Sequence, residues 1–120
     1  MEKLLDGEDE VLSVLRQQLK GAAVSAREMT GVGFYTTFSV PDEVSRVPGN
    51  VSFKFGDVIA NIRGLKLGAG FLLYVREGAL HMLEGYTYDE PWPQRISSFE
   101  LSYTRSNRRD LENIRNILHG

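Results

Sequence analysis

Between residues 33 and 103 the apolar side chains recur at every second position, in one short segment after another, and no stretch of helical period interrupts them. In 34–40 (FYTTFSV), Phe34, Phe38 and Val40 fall on one face with Thr36 between them, while Tyr35, Thr37 and Ser39 fall on the other. The alternation continues in 51–55 (VSFKF) and 58–63 (VIANIR), which read either as a hairpin or as one sharply bent strand about Gly56-Asp57. Residues 71–75 are apolar throughout, as in a strand covered on both faces, and Glu77-Gly78 turns them into 79–84 (ALHMLE) as a tight hairpin. A last alternating segment, 98–103 (SFELSY), sets Phe99, Leu101 and Tyr103 against Ser98, Glu100 and Ser102. Short turns between successive strands require antiparallel pairing, because a parallel pair needs a long crossover.

Helical period appears only at the two ends. Val11, Leu12, Leu15 and Leu19 share a helical face, with Asp6 placed to cap the first turn and Gly21 to stop the helix. Residues 22–29 read as extended, followed by a glycine turn at 30–33. Leu111, Ile114 and Leu118 mark a second helix, capped by Ser106 or Asn107. The expected fold is therefore α+β: residues 1–120 as a single domain, with a curved antiparallel β-sheet of five to seven strands and the N-terminal and C-terminal helices packed on it. The segment 41–50, with two prolines and no periodicity, reads as a surface loop.

At 120 residues, a chain with 42% hydrophobic and 25% charged residues has enough apolar surface for one core. It has no cysteine, which excludes disulfides, thiolate metal sites and a thiol nucleophile. The first residues lack a basic stretch leading into an apolar one, and no run approaches a membrane span, so the expected setting is cytoplasmic with no membrane contact. The net charge of −2 argues against a nucleic-acid partner. Positive charge gathers only at Arg105, Arg108, Arg109 and Arg115, where Asp110 and Glu112 dilute it into a solvated helix face.

Few constellations carry chemistry. The glycines at 31–33 and 64–70 precede strands rather than helices, so they are turn or bulge positions and not phosphate loops. The two histidines, His81 and His119, are far apart, and no metal site or cofactor is expected. Glu84, Asp89 and Glu90 lie within seven residues, close enough for paired-carboxylate chemistry if a cleft sets their separation. An extended backbone, however, turns neighbours such as Asp89 and Glu90 to opposite sides.

The densest stretch is 83–93, LEGYTYDEPWP, with three aromatics, three carboxylates and two prolines. The prolines stiffen the backbone around Trp92, which acts either as a plug against the sheet edge or as an anchor for a partner. Tyr86, Tyr88, Asp89, Glu90 and Trp92 have the composition of an interaction surface. The segments TGVGFYTTF, GAGFLLYV and LEGYTYDEPWP resemble those of small uncharacterised bacterial proteins, a likeness that spans residues 30–93. The resemblance implies a bacterial cytosolic setting and one compact domain, and nothing catalytic.

Taken together, the residues point to a non-enzymatic protein-binding domain, of an immunity or inhibitory kind, offering an acidic-aromatic patch to another protein or to a second copy of the chain. The competing expectation is a small enzyme or ligand-binding domain. It would hold Glu84, Asp89 and His81 in a cleft between the sheet and the 41–50 loop.

Overall fold

A computed structural model describes residues 1–49, 51–88, 90–93, 99–103, 109 and 111–119. The caps expected at Ser106 or Asn107 lie outside the described residues, as does Asp89. The element order is α1 (Glu10–Gly21), β1 (Ala23–Met29), β2 (Gly33–Ser39), β3 (Phe53–Phe55), β4 (Val58–Ile62), β5 (Ala69–Arg76), β6 (Ala79–Thr87), β7 (Phe99–Tyr103) and α2 (Leu111–His119). The strands form one open antiparallel sheet ordered β1-β2-β6-β5-β4-β7, with β3 paired to β5, so the chain is the α+β domain that its periodicity implied. Among the described residues no helix is long and apolar enough to cross a membrane.

The alternation at 51–63 resolves as a bent strand and not a hairpin. β3 pairs with Leu73–Val75 of β5, and β4 pairs with Ala69 and Gly70 on the same edge. The hairpin at Glu77-Gly78 has positive φ at both residues, 51° and 76°, which is the twist that matches two flanking strands. Beyond it β6 runs further than the alternation of 79–84 suggested. It continues through Gly85 and Tyr86 to Thr87, held by β2 on one side and β5 on the other.

α1 is capped by Asp9 and not by Asp6: its carboxylate accepts from the amides of Val11 at 2.8 Å and Leu12 at 3.3 Å. Asp9 stands immediately before the apolar stripe, whereas Asp6 is three residues too early for that geometry. The helix buries Val11, Leu12 and Leu15 together with Gln18, a polar residue inside the apolar stripe. Gln18 is fully buried; its Nε2 donates to the carbonyls of Ser45 and Gly78, and its Oε1 accepts from the amide of Leu80. One side chain thus ties α1 to the 41–50 loop and to the hairpin tip.

That loop is held more firmly than its composition implied. Arg46 donates to the carbonyls of Val40, Pro41 and Val44, Val47 is buried, and the Val47 amide donates to Gly78 at 2.9 Å. On the other flank Arg109 grips the bend between β3 and β4. Its guanidinium makes two bonds to Asp57, at 2.8 and 2.7 Å, donates to the carbonyls of Leu4 and Asp6, and lies over the rings of Phe55 and Tyr103. α2 buries Ile114 and Leu118, and its His119 meets Asp9 at 2.8 Å, joining the two helices.

Both helices lie on the same side of the sheet. α1 packs on β6 and α2 on β3, enclosing a core that includes Leu5, Leu12, Leu15, Phe55, Leu73, Val75 and Leu80. A smaller cluster around Ala60, Ile62 and Ala69 takes in Phe71, Leu101 and Trp92. The helices do not reach the end of the sheet formed by β1, where every residue is exposed.

Candidate functional site: the two faces of one sheet

Strand alternation distributes the residues of LEGYTYDEPWP over both faces of the sheet. Leu83 and Thr87 point to the helix side, and Glu84 and Tyr86 point away from it; Glu84 pairs with Tyr35 and Leu72, and Tyr86 with Gly33 and Gly70. The outer face therefore carries Tyr35, Tyr74, Glu84 and Tyr86 on three adjacent strands, with Glu28 beside Tyr35 and Lys54 beside Tyr74.

Glu84 is the hub of this face. It accepts a hydrogen bond from the Tyr74 hydroxyl at 3.0 Å, and Tyr35 stands directly across from it on β2. The Glu84 carboxylate beside Tyr35 raises the pKa of that phenol above the ordinary value, because ionising it would set two anions together. Tyr74 is raised too, by burial first and then by Glu84. Tyr86 is raised by burial first and then by the neighbouring Tyr88, whose ring it meets edge-on at 5.6 Å. Gly70 makes room for this arrangement, since a Cβ there would fall 2.6 Å from the Tyr86 ring.

Trp92 belongs to the opposite face. Its ring meets Phe34 edge-on at 5.2 Å, and Phe34 in turn lies flat across Gly85, where a Cβ would come within 2.3 Å of the ring. The segment around Trp92 is stitched to the β1–β2 turn: its amide donates to Gly31 at 2.7 Å, and the Thr87 hydroxyl bonds to the carbonyls of Val32 and Glu90. Glu90 is also engaged internally, its carboxylate receiving the amides of Lys66 at 3.0 Å and Leu67 at 3.1 Å, which lower its pKa.

Of the surface read from the sequence, then, Tyr86 and Tyr88 stand together, Glu90 braces the β4–β5 turn, and Trp92 lies on the far side. The carboxylate that does join the tyrosines is Glu84. The cleft expected for Glu84, Asp89 and His81 would need the 41–50 loop beside Glu84, yet that loop packs on the helix side and Glu84 faces away from it. His81 is the bulged residue of β6, left without a partner where the register shifts between Tyr74 and Val75. Arg105 and Arg108 lie outside the described residues, as does the side chain of Arg115, and Arg109 is buried in its clamp on Asp57.

On the helix side, beyond the end of the core, Val24, Met29, Phe34, Phe38, Leu83 and Trp92 line an open groove of about 440 Å3, with Arg27 and Thr36 among them. Among the described residues no group of three or more His, Asp or Glu side chains is placed to hold a metal ion. Comparison with family models, with curated proteins and with solved structures finds no match to this chain.

Proposed function

We propose that this chain is a non-enzymatic protein-binding domain, acting in the cytoplasm, whose outer sheet face receives a basic segment of another protein. A second copy of the chain is the competing occupant. The observation that carries the proposal is the position of Glu84: one carboxylate set among tyrosine rings on a sheet face that neither helix covers. Tyrosines lose little side-chain entropy on binding, and their faces attract cations, so they suit a surface built to hold lysine or arginine. Lys54 already lies over the Tyr74 ring at 6.0 Å, an internal example of the contact proposed. Acids outnumber bases on this face, with Glu28, Glu84 and Glu100 against Lys54 and, near the hairpin tip, Arg76.

The proposal keeps Tyr86 and Tyr88 from the sequence reading and replaces Glu90 and Trp92 with Tyr35, Tyr74 and Glu84. Calorimetric titration with an arginine-rich peptide tests it. Wild-type binding is expected to weaken with added salt, and Glu84→Gln to weaken it about three- to tenfold. Equal affinity of wild type and Glu84→Gln, or preference for an acidic peptide, would refute the proposal.

A further inference from the structure

The groove on the other face has a different chemistry. Its walls are Met1, Val24, Met29, Phe34, Phe38 and Trp92, its volume of about 440 Å3 lies in the range of small-molecule sites, and its charged side chain is Arg27. Val24 and Met29 are 53% and 60% exposed, an unusual loss of apolar burial for two residues on one edge strand. Arg27 donates to the buried Thr36 hydroxyl at 3.3 Å, which holds its guanidinium on the groove side of the strand. Among the described residues no carboxylate lies within ion-pair distance of it.

An apolar trough whose cationic side chain, Arg27, lacks a described carboxylate partner is complementary to a molecule with an apolar body and a single anionic end. We infer that the groove binds a small amphipathic carboxylate, its chain lying along Phe34, Trp92 and Met29 and its carboxylate meeting the Arg27 guanidinium. Guanidinium and carboxylate match in a two-pronged geometry, which sets the orientation of the ligand. The apolar body supplies most of the affinity, in proportion to the surface that the groove removes from water.

Trp92 is the chain's single tryptophan, so its emission reports on this groove directly. The test titrates the protein with decanoate, octanoate and decyltrimethylammonium, each below its micellar concentration. Decanoate is expected to give a saturable change in Trp92 emission, and each methylene removed to weaken binding about two- to fourfold. Decyltrimethylammonium is expected to bind about tenfold more weakly than decanoate, and Arg27→Gln to remove that preference. Arg27 is exposed on an edge strand, so the variant keeps the fold, and Arg27→Lys is expected to retain a preference for the anion. The inference is overturned by the absence of a saturable change, by equal binding of the anion and the cation, or by Arg27→Gln binding decanoate as the wild type does.

Discussion

Tyr74 donates its hydroxyl to Glu84 across 3.0 Å, between neighbouring strands and on the sheet face that neither helix covers. Two phenols therefore flank one carboxylate, because Tyr35 is paired in register with Glu84 from β2.

The linkage fixes the sign of an alkaline effect. Tyr35, Tyr74 and Tyr86 all have folded pKa values above the ordinary 10.0. Their contribution to stability is fully present below pH 10.0 and is lost as pH rises through the raised folded values. Glu84→Gln removes the anion that disfavours the phenolates, so phenolate absorbance in the variant is expected to appear at lower pH than in the wild type. Superimposable titrations would contradict the placement of Glu84 beside the phenols.

Gln18 tests how the helix is fastened. Gln18→Leu keeps the volume but strips partners from the carbonyls of Ser45 and Gly78 and from the amide of Leu80. The expected loss is about 2–4 kcal/mol in chemical denaturation, since buried groups left unpaired cost about 1–3 kcal/mol each and some regain water. A variant as stable as the wild type would mean that these bonds contribute little.

Arg109→Ala is expected to cost about 3–5 kcal/mol, because it leaves Asp57 without its partner in a largely buried site. The side chain is only 6% exposed, so the loss belongs to folding and not to any surface contact. Thermal melts check this directly.

The two glycines beneath aromatic rings separate the two faces. Gly85→Ala is expected to displace Phe34, shift the emission of Trp92 and cost about 1–3 kcal/mol from overpacking. Gly70→Ala meets only the tip of the Tyr86 side chain, so it is expected to disturb the outer face and leave Trp92 emission unchanged.

Periodicity made the strands and both helices legible, because a half-buried strand and an amphipathic helix each leave a local pattern. It did not reveal that 51–63 bends along one edge of β5, since alternation is the same whether two strands pair with each other or with a third. Nor did it separate Tyr86 from Trp92. Tyr86 stands away from the helices, while the chain after Thr87 is drawn toward Gly31 and Val32 and sets Trp92 on the helix side. Those bonds join residues about 60 positions apart, and no local window contains them. Gln18 and Arg109 were hidden for the same reason: a glutamine in an apolar stripe or an arginine in a basic run looks solvated until its distant partners are known. Glu84 was readable as a carboxylate in a cluster, but its true companions, Tyr35 and Tyr74, come from other strands.

The central claim is that the outer face receives a basic segment, and amide chemical-shift mapping during titration with an arginine-rich peptide tests it most directly. The expected result is a contiguous set of shifts in β2, β5 and β6 centred on Tyr35, Tyr74 and Glu84, suppressed by salt and lost in Glu84→Gln. Shifts confined to the helix side of the sheet, or none at low salt, would contradict it.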